Sequence, residues 1–169
     1  MDGQRYPFAH SPYPQVPNDL VDDPTPKDQA IYVPSVSAGY AKDVYAQDWK
    51  RPLPDGIGPG DLNFLDPGNR LFRISHALSS AGQALDQKRP CIISERDRKS
   101  TVIIGDSGGY QIASNRMRIN GDADRMNILR WLENTADVAM TLDVPTGPVL
   151  KAGYRFQSTQ DCLAATVDH

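Results

Sequence analysis

Thr101-Val102-Ile103-Ile104-Gly105-Asp106-Ser107-Gly108-Gly109-Tyr110-Gln111 decides how this chain is read. After Thr101 its first half is a run of β-branched apolar residues ending in glycine, without the alternation of a half-exposed strand. Such a strand is covered on both faces, which is the environment of a parallel sheet. The second half changes character at once, to a carboxylate, a hydroxyl, two glycines, an aromatic ring and an amide. The stretch therefore predicts a buried strand over 101–105 with polar residues at its C-terminal end.

Outward from it, apolar spacing predicts a helix over 124–134, capped by Asp122, with Ile128, Leu129 and Leu132 inward and Arg125 and Arg130 solvated. Val138–Val144 reads as the next strand. Ser158–His169 reads as another helix, holding Cys162, Leu163, Ala165 and Val167 and carrying no stop signal, as in a truncated chain. Upstream, Leu71, Ile74, Leu78, Ala81 and Leu85 recur at spacings of three and four. They predict a helix over 70–87, capped by Asp66 or Asn69 and stopped by Lys88-Arg89-Pro90. Cys91–Ile93 is a short strand candidate, followed by the charged turn Arg96-Asp97-Arg98-Lys99. Strands and helices in this order imply βαβ units. No G-x-G-x-x-G and no Walker lysine motif occurs, so a partial barrel and an open α/β sheet are the architectures left.

Ten of the fourteen prolines lie in the first sixty residues. Proline removes a donor and restrains its predecessor, so 1–66 is expected to be a Pro-rich, loosely ordered arm. Within it, Ile31–Val36 is a candidate edge strand. The second part, 67–169, is expected to be a partial (β/α) barrel, since 169 residues fall well short of the roughly 250 of a complete one. Eighteen basic against twenty-one acidic side chains give a net charge of −3, which does not favour nucleic-acid binding by bulk charge. No apolar run reaches membrane-spanning length and no signal peptide is visible, so a cytoplasmic protein with no membrane partner is expected. Cys91 and Cys162 form no metal pattern and read as reduced, buried thiols.

Two sites share one design. Asp106 follows one predicted strand directly, and Asp143 ends the next. In parallel α/β folds the strand ends converge on one mouth, and ligands bind there. Both carboxylates can accept hydrogen bonds from a base or a ribose. Gly108 and Gly109 let backbone approach a flat ligand, Tyr110 offers a face for stacking, and Gln111 adds a donor and an acceptor. Asp-Ser-Gly-Gly is also an ordinary turn sequence, and that reading stays open. A Ser107, His76 and Asp143 triad lacks the G-x-S-x-G elbow. Lys88, Arg89, Arg96, Arg98 and Lys99 read first as a solvated turn, and His76 as a helix residue; His10 and His169 carry no signal.

Asp106–Gln111 resembles the DSGG[FY]Q motif of the tRNA-guanine transglycosylase family. Ala136-Asp137-Val138-Ala139-Met140-Thr141-Leu142-Asp143 resembles the run that follows it there and ends in a base-recognising aspartate. Leu71–Gly82 resembles more weakly the phage and bacterial branch that places 7-deazaguanines in DNA. The resemblance covers roughly 60–169. It implies an α/β fold, the N-terminal part of a (β/α)8 TIM-type barrel. It implies a pentosyltransferase in which an aspartate attacks C1′, guanine leaves and a 7-deazaguanine enters. By that likeness Asp106 is catalytic, and Ser107, Gly108, Gly109, Tyr110, Gln111 and Asp143 bind substrate. The implied partners are DNA or tRNA, a 7-deazaguanine base and a second polypeptide completing the barrel, in a bacterial or phage-infected cell. The family's nucleophile and its three-Cys-one-His zinc site would lie downstream, so no metal or other cofactor is assigned to this chain, and the isolated fragment is expected to be inactive. Val144-Pro145-Thr146-Gly147 stands where the family has an acidic residue and a cysteine before Thr-Pro, a departure that favours the DNA branch. A purine-binding module without catalysis is the alternative.

Overall fold

The apolar stretch ahead of Asp106 forms the middle strand of a small parallel sheet, so the chain is mixed α/β. The structure, a computed structural model, describes residues 32–168 apart from Arg70. His10, Ile31, His169 and the first 31 residues of the Pro-rich arm lie outside the described residues. The strands are β1 (His76–Ser80), β2 (Val102–Asp106) and β3 (Val138–Ala139), in the order β1-β2-β3. β2 and β3 run parallel, with Ile104 opposite Val138 and Gly105 opposite Ala139. The described chain divides into two compact units: residues up to Leu78 with Arg89–Ile103, and Ser79–Lys88 with the residues from Ile104 onward.

In the first unit, helix α1 (Ala38–Tyr45) starts at Ser37, whose hydroxyl accepts from the Tyr40 amide at 3.3 Å. Its Ala41 and Val44 are buried with Phe64, Leu65, Ala77, Ile92 and Ile103. The described part of the Pro-rich segment thus carries a helix and core residues, because none of its prolines falls inside 38–45. The helix predicted over 70–87 does not form. Residues 72–74 are irregular, β1 occupies 76–80, and only Ala81–Ala84 (α2) is helical. Pairing explains the difference: Leu78 donates to the Pro34 carbonyl at 2.8 Å, Val36 donates to Leu78 at 2.8 Å, and Val102 donates to Ser75 at 2.7 Å. The chain there is hydrogen-bonded on both sides, and tertiary pairing overrides a helical apolar spacing. The strand expected at 91–93 is instead the entry to a turn, closed by the Glu95 amide on the Cys91 carbonyl at 3.0 Å. Its three residues are buried all the same. Arg96, expected to be solvated, turns inward and donates from Nη1 to the Ile93 carbonyl at 2.7 Å.

In the second unit, α3 (Gly109–Ala113) follows β2, then α4 (Asp122–Thr135), β3, and α5 (Thr159–Asp168). Gly121, and not Asp122, is the cap of α4. Ile128 and Leu132 are buried against Ala81, Ile112 and Ile119, each contributing about 1.5–3 kcal/mol. Leu129, expected inward, stays 46 % exposed. Gly105 is where α4 meets the sheet: a Cβ there would lie 2.7 Å from both Ala136 Cβ and Leu132 Cδ2. The strand expected over 138–144 is confined to two residues. Met140 still donates to Gly105 at 2.8 Å, after which the chain turns toward the loop following β2. A second cluster, Val144, Tyr154 and Cys162, packs α5 behind that turn. Both cysteines are buried and unpaired. Among the described residues no helix is long and apolar enough to cross a membrane.

Candidate functional site

The ends of the strands in the second unit carry the residues singled out above. Asp106 closes β2 and is half-buried. Ser107 is fully buried, and its hydroxyl donates to the Thr141 carbonyl at 2.9 Å. That bond takes over where the β2–β3 ladder stops, and it fixes the spacing of the two loops.

Gly108 has φ +99°, a left-handed conformation that favours glycine. It also touches the chain after β1: a Cβ there would lie 2.9 Å from Gly82 Cα and N, and 2.7 Å from Met117 Cε. A Cβ on Gly109 would lie 2.6 Å from Asp143 Oδ1 and 3.1 Å from its Cγ. The Asp143 carboxylate therefore rests on the α-carbon of Gly109. Residues 34 positions apart in the chain, predicted only to share a mouth, are in contact there, beside the loop that follows Asp106.

Neither Asp106 nor Asp143 makes a side-chain hydrogen bond or ion pair with a described residue, so both carboxylates keep their accepting capacity. Asp143 is exposed, and Tyr110, on α3, is 69 % exposed, which leaves its ring open to stack on a planar group. Gln111 does the opposite. It is buried, and its Oε1 finds no hydrogen-bond partner among the described residues. That oxygen lies 2.4 Å from where a Gly82 Cβ would be. An orphaned buried acceptor is costly unless something donates to it.

The loop carrying Asp143 is braced from behind. The Tyr154 hydroxyl donates to the Pro145 carbonyl at 2.6 Å, and the Val144 amide donates to Thr166 Oγ1 at 2.9 Å. Burial, with Cys162 and Asp143 adding to it, pushes the Tyr154 phenol up to about 12. Sequence reasoning missed Gly82 and Tyr154. Gly82 ends the run Ser79-Ser80-Ala81-Gly82, whose small side chains signal a close backbone approach. The His76 ring pairs through Nε2 with the Tyr32 carbonyl at 2.8 Å in the first unit.

Among the described residues no group of three or more His, Cys, Asp or Glu side chains is placed to hold a metal ion. The zinc site of the transglycosylase family has no ligand set among them. No protein-family model, no curated protein and no solved structure matches this chain.

Proposed function

We propose that this chain recognises the base in a base-exchange reaction that replaces guanine by a 7-deazaguanine in DNA or tRNA. The observation that carries the reading is the contact of the Asp143 carboxylate with Gly109 in the loop that follows Asp106. A carboxylate held at that mouth accepts two N–H bonds from one edge of guanine, the 2-amino group and N1. The exposed Tyr110 ring stacks on the face of the base. Asp106, at the strand end beside them, is the catalytic carboxylate of this reading and handles the ribose or a proton. The attacking nucleophile is not assigned to any of the residues 1–169.

The sheet supports the finer architectural part of the proposal, the start of a (β/α)8 barrel. In such a barrel each strand lies beside its successor in sequence, as in the order β1-β2-β3. A doubly wound sheet reverses that order at its switch point. A purine-binding module without catalysis needs the same contacts and predicts the same binding.

Calorimetric titration with guanine, 7-deazaguanine and adenine tests the recognition step. Guanine and 7-deazaguanine bind and adenine does not. Asp143→Asn weakens binding about 10-fold or more, the value of a charge-assisted hydrogen-bond pair. Asp106→Asn leaves base binding in place and removes exchange when the barrel is completed by a second polypeptide. Equal affinity for adenine, or an Asp143→Asn variant that binds guanine like the parent, refutes the proposal.

A further inference from the structure

The second unit holds a cleft of about 560 Å³ that none of the residues discussed so far as base-binding lines. Its walls come from the segment after α3, the start of α4, the loop before α5 and the end of α5. In a chain of net charge −3, this cleft gathers three arginines, Arg118, Arg125 and Arg155, against one aspartate, Asp168.

The three arginines are not alike. Arg155 is pinned: Nη1 donates to the Ile119 carbonyl at 3.0 Å, and the guanidinium lies 5.6 Å from the centre of the Phe156 ring. Its remaining donors are held in a fixed fork. Arg125 is committed through Nη1 to Asp122 at 2.9 Å and through Nη2 to Asp168 at 2.6 Å, but its buried Nε has no partner. Arg118 is exposed and makes no side-chain hydrogen bond or ion pair with any described residue. A fixed fork, an arginine tied to two carboxylates and a cation with no described partner therefore line a common space. Ile112, Ile119 and Phe156 give that space an apolar floor.

We infer that this cleft binds a phosphate ester, with Arg118 and Arg155 on the phosphate oxygens and the ester's sugar over the apolar floor. Arginine's planar fork matches a tetrahedral oxyanion in two-point contact. The volume admits a sugar phosphate, larger than a bare anion. The same chemistry is presented by a free sugar phosphate and by the backbone of a nucleic-acid strand. The inference stands apart from the base-exchange reading, because it involves neither Asp106 nor Asp143.

The test uses probes with no guanine: inorganic phosphate, ribose 5-phosphate, and an oligothymidylate of twelve nucleotides, followed by amide shifts in heteronuclear NMR. Ribose 5-phosphate or the oligonucleotide moves the amides of 115–121 and 153–156, and binds more tightly than inorganic phosphate. Arg118→Glu weakens the better ligand about 10-fold or more, and Arg155→Gln does so too. Arg118 is exposed, so its variant keeps the fold even where Arg155→Gln does not. Lys50→Glu, in the other unit, changes charge equally and leaves affinity unchanged. If the strand is the source, affinity falls with salt at a slope near −0.7 per phosphate engaged, and Arg118→Glu flattens it by about that amount. If the free sugar phosphate is the source, ribose 5-phosphate binds as tightly as the oligonucleotide. Absence of shifts at these amides, no gain of ester over inorganic phosphate, or equal loss in Lys50→Glu overturns the inference.

Discussion

Replacing Gly108 and Gly109 by alanine, one at a time, should have opposite consequences although the residues are adjacent. At Gly108 the φ of +99° costs an L-residue about 1–2 kcal/mol. The new methyl would also lie 2.9 Å from Gly82 Cα and N. Met117 Cε, at 2.7 Å, can swing away, but the Gly82 backbone cannot without moving α2. Overpacking of that kind costs a further ~1–3 kcal/mol. Gly108→Ala should therefore lose about 2–5 kcal/mol. At Gly109 the methyl's three nearest neighbours all belong to the Asp143 carboxylate, at 2.6 Å and 3.1 Å, and that carboxylate is the exposed end of a rotatable side chain. The displacement costs about 1 kcal/mol, offset by alanine's gain of roughly the same size over glycine in a helix. Urea unfolding followed by tryptophan fluorescence separates the two. At a slope of about 1–3 kcal/mol/M, the Gly108→Ala midpoint drops by on the order of 1 M and that of Gly109→Ala stays near the parent. Guanine titration gives the complement, since on the proposed reading Gly109→Ala folds normally but, with Asp143 displaced, binds the base more weakly. A Gly108→Ala protein as stable as the parent, or a Gly109→Ala protein that is the less stable of the two, would show that the loop is not packed as described.

Ser107→Ala removes the buried donor to the Thr141 carbonyl and should cost about 0.5–1.5 kcal/mol, the net value of one hydrogen bond, read as a lower urea midpoint. Gly105→Ala sets a methyl 2.7 Å from Ala136 Cβ and should lose about 1–3 kcal/mol, with calorimetry showing a lower Tm. Tyr154, whose folded pKa is raised from 10.0 to about 12, should make stability fall between those two pH values. The unfolded chain releases the phenolic proton first, so the contribution is intact below pH 10 and gone above 12, a change of up to about 2–3 kcal/mol. Tyr154→Phe should be less stable at pH 8 and lose less between pH 9 and 11; parallel pH profiles of the two proteins would contradict the assignment.

The sequence told most where local pattern and tertiary environment agree. In Val102–Gly105, Gly105 packs under Leu132 of α4, although only alternate residues of β2 are buried and not both faces as the run suggested, and the helix at 122–135 announced itself by Ile128 and Leu132. β1 was illegible for a specific reason. Leu71, Ile74 and Leu78 happen to recur at helical spacing, while the bonds that make 76–80 a strand come from Pro34, Val36 and Val102, which no window around residue 78 contains. Asp143 could be placed at a strand end from the run before it, yet its contact with Gly109 depends on β3 ending at Ala139, and that early end is set by Ser107 capturing the Thr141 carbonyl. The burial of Gln111 was equally hidden, because the residue that covers its amide is Gly82.

The distribution of satisfied and unsatisfied groups supports the proposed reading of the strand ends over that of an ordinary turn. A turn built around Asp-Ser-Gly-Gly ordinarily spends its aspartate on nearby backbone amides. Here Asp106 is spent on none, and the loop is closed by Ser107 instead. Behind Asp143 the loop is held by hydrogen bonds: Tyr154 donates to Pro145, and the Val144 amide donates to Thr166. In front, Asp143 keeps its acceptors free and Gln111 keeps an orphaned buried oxygen. Rigid support at the back with uncommitted acceptors at the mouth is what a preorganised recognition surface requires, and the two carboxylates are acceptors only. A ligand that fits them must bring donors, and a guanine edge, with its 2-amino group and N1–H side by side, brings two.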